Sequence, residues 1–350
     1  TLSLGLRYDL EIIPLDESDN PLFNGDSKSP SDRNNFGPRV GFTHSLDAAG
    51  KSVIRAGWGI FYNRTILGAL DDTLEFGKFT ESNVVQFPTN AADPGPSAGR
   101  FPTDPYLVNG PFINEALLRQ SYPLGVAVKN NGVVVFDSPD RKMPYARQAT
   151  IGYVRELASS LAMHADYVRM DNRDMFLARN LNPALRVDTS RTGALTRSDA
   201  FGVLGEPYSQ QVWVFENTGE ATYNALNLSL EKRFANHWSG RMSYSLSKAE
   251  GTANDQADRN QYQVGTDLNL DLQNGPGAVD RRHILSLGGQ TEIIGGITLS
   301  STFRYMTGTP FTIYDSSVDA DRNGELVDFI PAGTYSGTAL DAMQNVENTG

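Results

Sequence analysis

Apolar and polar residues alternate strictly along several runs of about ten positions. Leu2, Leu4, Leu6, Tyr8 and Leu10 interleave with Thr1, Ser3, Gly5, Arg7 and Asp9. Successive side chains of an extended chain point to opposite faces, so the run predicts a strand with one apolar and one polar face. The pattern returns in Ile54, Ala56, Trp58, Ile60 and Tyr62, in Trp238, Gly240, Met242, Tyr244 and Leu246, and in Ile297, Leu299, Phe303 and Tyr305. Their partners on the other face include Arg55, Arg241, Ser243, Ser245 and Arg304. Counted this way the chain holds about nine strands, near 1–10, 36–46, 52–62, 146–156, 161–170, 222–234, 238–248, 282–292 and 297–305.

The connections between these runs are of two kinds. Short turns are predicted at 47–50, 158–160, 235–237 and 294–296, and long stretches rich in Gly, Pro, Asn, Asp and Ser at 63–144, 171–221, 249–280 and from 306 onward. Antiparallel pairing sends successive connections to alternate ends, so short and long ones are expected to segregate, the short in the periplasm and the long outside. A strand of about ten residues, tilted about 40–45°, covers roughly 23–25 Å, the height of the apolar band of an outer-membrane barrel. Strands in soluble sandwiches are shorter, about 5–6 residues. Tyr8, Phe61, Tyr62, Tyr145, Tyr167, Trp238 and Tyr305 stand near strand ends, where interfacial girdles sit. The predicted fold class is therefore all-β, an antiparallel transmembrane β-barrel present in part. Its rival is a soluble sandwich whose alternation faces a core.

Composition narrows the function classes. The 350 residues include no cysteine, which excludes a disulfide framework and a thiolate zinc site. Lys and Arg number 30 against 41 Asp and Glu, a balance that disfavours nucleic acid as a partner. No run approaches the roughly 18 consecutive apolar residues of a membrane helix, and mean hydropathy is −0.37. The first ten residues have no basic segment followed by an apolar one; they read as the middle of a strand, not a signal peptide.

Five stretches, in order, carry a resemblance: NNFGPRVGFTHSLDAAGKSVIRAGWGIFYNR at 34–64, MPYARQATIGYVREL at 143–157, YNALNLSLEKRFANHWSGRMSYSLSKA at 223–249, DRRHILSLGG at 280–289 and TGTPFTI at 307–313. Together they resemble the barrel region of the Oar-like TonB-dependent transporters, outer-membrane receptors of Gram-negative bacteria. The resemblance implies a barrel of about 22 strands filled by an amino-terminal plug, placed in the bacterial outer membrane. It implies outer-membrane lipid, the TonB system acting through the plug, and a small scarce solute (siderophore, oligosaccharide, peptide or vitamin) as partners. Nine strands do not close such a barrel, so residues 1–350 read as a central-to-late fragment of one barrel domain, without plug or C-terminal strands. The implied function is a receptor whose extracellular loops bind a solute for energised uptake. The alternatives are a non-transporting structural or adhesive surface protein and a secreted sugar-binding sandwich.

No catalytic constellation is expected, and the chain reads as a non-enzyme. Gly57-Trp58-Gly59 continues into Ile60-Phe61-Tyr62 without the third glycine of a dinucleotide loop, and His44, His164, His237 and His283 never fall at metal-helix spacing. Asp319, Asp321, Asn323, Gly324 and Glu325 fit the opening of a calcium loop, with Glu325 or Asp328 to complete the oxygens; the twelfth position is Ile330 in place of glutamate. The same residues suit an ion-free Asx-rich turn, and both readings stand at this point. Tyr208, Trp213 and Phe215 form an aromatic group in a segment expected to face outward, either a stacking site for a ligand or a strand extended above the membrane. Arg7, Arg55, Arg241 and Arg304 are expected to line the lumen.

Overall fold

The computed structural model describes residues 1–65, 67–77, 134–182, 184–197, 211–252 and 274–310, with residues 314, 315, 319, 322, 324, 328 and 329. One antiparallel sheet dominates. Its long strands follow chain order: β1 (Leu2–Tyr8), β2 (Phe36–Ser45), β3 (Ser52–Tyr62), β4 (Tyr145–Ala158), β5 (Leu161–Asn180), β6 (Val212–Ala235), β7 (Trp238–Gly251), β8 (His283–Glu292) and β9 (Thr298–Met306). Each of the nine alternating runs corresponds to one strand of this meander. The sheet is open, with β1 and β9 at its edges. Among the described residues no helix is long and apolar enough to cross a membrane.

Register carries the alternation across the wall. Leu4, Val40, Trp58 and Ala149 stand opposite one another on β1–β4. Met163, Leu230, Met242, Leu287 and Phe303 form the equivalent row on β5–β9. All of these side chains except Ala149 and Met163 are open to the surroundings; Leu4 is 76% exposed and Phe303 55%. A row of large, uncovered apolar residues is stable against lipid and not against water. The opposite face is polar: Ser229, Ser243, Ser286 and Arg304 share one row, and Arg55, Gly152 and Asp166 share another. Trp58, Ile60, Met242, Tyr244, Leu299 and Phe303 therefore lie on the lipid face, with Arg55, Arg241, Ser243 and Arg304 on the lumen face, as the alternation predicts. The aromatic residues at the strand ends meet in pairs, Tyr8 with Phe36 at 5.0 Å and Tyr62 with Tyr145 at 5.7 Å between ring centroids.

Connections segregate as the pairing requires. Residues 46–51, 159–160, 236–237 and 293–297 close the short end. Asn236 and His237 both take positive φ (54° and 69°), the backbone of a two-residue hairpin turn that follows the strand twist. The long connections leave from the other end. One of them, between β1 and β2, carries no alternation and is not distinguished by the sequence pattern.

Two strands overrun their expected ends. The stretch 171–221 reads as a loop in sequence, yet β5 continues to Asn180 and β6 begins at Val212, so each strand runs ten residues further and the two extensions pair with each other. Two bulges, between Asn172 and Met175 and between Met175 and Leu177, shift the register there, and Asp174 takes φ 53°. Each inserted residue inverts the in-and-out order, which erases the period-two signal. A further strand, Val134–Asp137, joins the extension in parallel with β6. The buried apolar clusters lie in this region and not in the wall. Val134, Phe136, Val212 and Val214 make one, with Leu22 and Leu181 against it; Val135, Ala178 and Trp213 make the other, with Phe215. A 24-residue strand such as β6 is far longer than a bilayer needs, so its first half forms a rib above the apolar band.

Candidate functional site

The candidate site is the polar lumen face together with the clasped connections at its long-connection end. Arg55 on β3 donates to both carboxylate oxygens of Asp166 on β5, at 2.7 and 2.8 Å, across β4, where Gly152 leaves room for the pair. An added Cβ at Gly152 would lie 2.1 Å from an Asp166 oxygen, so this position excludes a side chain. Arg39 lies over the Phe61 ring at 4.4 Å. Arg241 stands opposite Glu231 and Gly288, and Arg304 opposite Ser286. Ser245 donates to Asn227 at 2.5 Å. The face thus presents serine, asparagine and guanidinium groups, a surface that solvates a polar solute.

At the long-connection end the β1–β2 connection is locked to the rib by buried polar groups. Asn20 accepts from the Leu22 N–H, capping the short turn Pro21–Phe23, and its amide donates to Glu17 at 3.0 Å and to the Asp137 carbonyl at 3.1 Å. Arg141 holds the Asp137 carboxylate through Nε at 2.9–3.0 Å and donates to Ser29 at 2.5 Å. Glu17, Asn20, Asp137 and Arg141 are all buried. Burial pushes the Glu17 carboxyl up to about 7, the nearby Asp137 adding to the rise, while Asn20 and Arg141 oppose it. Burial raises Asp137 as well, against the pull of Arg141. With one guanidinium facing two carboxyl groups, the cluster is neutral when it holds one proton.

A pH dependence follows from the raised Glu17 value. The folded cluster keeps a proton that the free carboxyl gives up near 4.5. Its contribution is complete below that pH, declines as pH rises toward about 7, and is lost above it. Hydrogen exchange of residues 16–29, corrected for intrinsic rates, is expected to show stronger protection at pH 5.5 than at pH 8, and Glu17→Gln is expected to flatten the difference. Protection that rises with pH in the native chain contradicts the assignment.

A second clasp joins the hairpin formed by Ala184–Arg186 and Leu195–Arg197 to the segment around Asp319. Arg186 Nε donates to Asp319 Oδ2 at 2.7 Å, its Nη1 reaches the carbonyls of Arg191 and Gly193 at 2.9 Å, and its Nη2 that of Gly324 at 3.3 Å. The Gly324 N–H donates to the same Asp319 oxygen, and Gly324 takes φ 87°, the left-handed conformation its place in the motif suggests. Arg186 and Asp319 are 6% and 0% exposed.

The expected site residues are distributed as follows. Trp213 is buried at 4% against Val135 and Ala178, with Phe215 half-buried beside them, so both stand on the rib; Tyr208 lies outside the described residues. Asp319 is engaged by Arg186. Asp321, Asn323 and Glu325 lie outside the described residues, and Asp328 belongs to a short strand paired with Tyr314–Asp315. Among the described residues no three His, Cys, Asp or Glu side chains gather to hold a metal. Sequence reasoning missed Glu17, Asn20, Asp137, Arg141 and Arg186. Isolated Asp, Asn and Arg in loops are common, and no spacing links residues 17 and 137.

Comparison with known proteins agrees with this geometry. A family model described as an outer membrane beta barrel domain matches residues 1–341. No curated protein matches the chain. Among solved structures, the outer membrane transporter YddB from Escherichia coli is similar at 14% identity and a TM-score of 0.47, over 80% of this chain and 30% of that one. The ferric enterobactin receptor PfeA from Pseudomonas aeruginosa aligns at 13% identity and a TM-score of 0.45, over 86% and 30%. The FrpB iron transporter from Neisseria meningitidis aligns at 13% and 0.43, over 87% and 30%. The chain thus spans about 30% of the length of these proteins. With an apolar outer face, a polar inner face and segregated connections in one antiparallel meander, the chain belongs to the outer membrane β-barrel domain family and is part of a bacterial outer-membrane wall.

Proposed function

We propose that this chain is part of the barrel of a TonB-dependent, Oar-like outer-membrane receptor that captures a scarce solute at its outer end and passes it inward past a plug. The observation that carries this reading is the pair of clasps. Long connections from separate strand pairs are locked by buried polar clasps at one end of a sheet whose inner face is polar, an arrangement suited to holding a solute at the mouth of a wide barrel. The five resembling stretches supply the subtype and the energy coupling. Among the described residues β1 and β9 each pair on one side only, and a bare strand edge is costly in lipid, which supports the reading that further strands complete the wall. Tyr208 and Phe215 are the proposed aromatic side of the capture site, Phe215 standing on the rib in which Trp213 is packed. A siderophore, oligosaccharide, peptide or vitamin all fit a site of this kind.

The test is uptake. Cells expressing the full-length protein are expected to accumulate solute only while the inner membrane is energised and TonB is present. Binding without uptake in both conditions supports the rival reading, a structural or adhesive surface protein.

Calcium in the 319–328 segment is a separate proposal, with Asp321, Asn323 and Glu325 or Asp328 as oxygen ligands beside Asp319. A hard cation suits an all-oxygen set, and the incomplete loop implies weak binding, about 10⁻⁴–10⁻³ M. Calorimetry on the full-length protein is expected to show calcium heats that vanish when Asp319 and Asp321 are both replaced by alanine. Unchanged heats exclude this segment.

A further inference from the structure

The lipid face carries a groove of about 750 Å³ near its short-turn end. Its floor is the row Gly240, Gly289 and Ser301, which stand opposite one another on β7, β8 and β9. Two of these have no side chain, so the surface is notched where neighbouring rows are filled. Met242, Leu287 and Phe303 wall the groove toward the bilayer centre, and Trp238 and Leu299 wall it toward the short turns. At one end the row continues to Lys232 on β6, opposite Gly240. Floor and lysine together span three interstrand spacings, about 14 Å.

Lys232 is held in place. Its ammonium donates to the Ala235 carbonyl at 2.6 Å and the Trp238 carbonyl at 2.9 Å, with the Arg233 carbonyl at 3.5 Å, and sits 4.1 Å from the centre of the Trp238 ring. These partners are neutral, and among the described residues Lys232 makes no ion pair. A fixed, uncompensated cation thus stands at the end of an apolar groove, at the depth where an aromatic residue marks the bilayer boundary.

We propose that this groove is a binding site for one phospholipid of the inner leaflet, an acyl chain lying over Gly240 and Gly289 and the phosphate meeting the Lys232 ammonium. The apolar groove supplies surface complementary to a hydrocarbon chain, and the ammonium supplies the charge complement of a phosphodiester. Position selects the source. The groove opens beside the short turns, so it faces the periplasmic leaflet and not the outer one.

Native mass spectrometry of the full-length protein, extracted from membranes and washed with detergent, tests the proposal. One phospholipid is expected to remain on the native protein. Gly240→Leu fills the floor, where an added Cβ meets the Gly288 carbonyl and the edge of the Trp238 ring at ordinary distances of 3.4–3.8 Å, and is expected to lose that lipid at least about tenfold. Lys232→Gln is expected to lower retention of phosphatidylglycerol about fivefold, the worth of one basic residue at an anionic lipid surface. Heat-modifiable gel mobility reports whether each barrel has assembled; should Gly240→Leu fail to assemble, Lys232→Gln decides. Equal phosphatidylglycerol retention by the native protein and Lys232→Gln overturns the proposal, as does retention of lipopolysaccharide in place of phospholipid.

Discussion

Met242→Arg is expected to destabilise the folded barrel by about 2–4 kcal/mol, whereas Ser243→Arg, one residue along the same strand, is expected to leave it within about 0.5 kcal/mol. The two positions differ in face alone. Met242 lies in the central apolar row with Leu230 and Leu287, where a guanidinium would meet hydrocarbon; Ser243 lies between Ser229 and Ser286 on the lumen side, in the row that continues to Arg304. Denaturant unfolding of the full-length protein in lipid vesicles measures both. Equal losses, or a larger loss for Ser243→Arg, contradict the assignment of faces.

Breaking the clasp between Arg186 and Asp319 is expected to have an effect of similar size, confined to the outer end. Arg186→Met leaves a carboxylate that is 0% exposed without its guanidinium, a loss of about 3–5 kcal/mol for a buried pair. Arg186→Met combined with Asp319→Leu removes both charges and is expected to recover most of that loss. The readout is hydrogen exchange of residues 184–197, since the wall does not depend on this pair. Unaltered exchange in the single variant, or a global loss of barrel stability, counts against a local clasp. The experiment also bears on calcium. If the ion adds to the site, calcium is expected to restore protection in Arg186→Met, because it replaces the missing positive charge beside Asp319.

The wall was legible in the sequence because a bilayer imposes one rule on every strand. Each residue faces lipid or lumen, so Leu4, Trp58, Met242 and Phe303 are apolar and Ser243 and Arg304 are not. The rib was not legible. Above the bilayer both faces of β5 and β6 are free of that rule, bulges near Met175 break the register, and residues 171–180 lose their period. The Glu17 cluster was hidden for another reason, since its members are about 120 residues apart and each is an ordinary loop residue alone. The calcium motif illustrates the converse. Its first aspartate and its glycine are arranged as the motif suggests, with the glycine in left-handed conformation, yet a guanidinium already holds Asp319 Oδ2. Local sequence specified the turn, and a residue 133 positions away supplied its cation.

The absence of cysteine makes the central claim directly measurable, because every introduced thiol is the only one in this chain. Single cysteines at each position from 239 to 247 of β7, in the full-length protein reconstituted in lipid, can be labelled with a fluorophore and quenched by bromine-labelled acyl chains. Positions 240, 242, 244 and 246 are expected to be quenched by lipid and positions 241, 243 and 245 to react with a water-soluble thiol reagent instead. Quenching without period two, or with the two sets exchanged, would contradict a membrane wall built on this register.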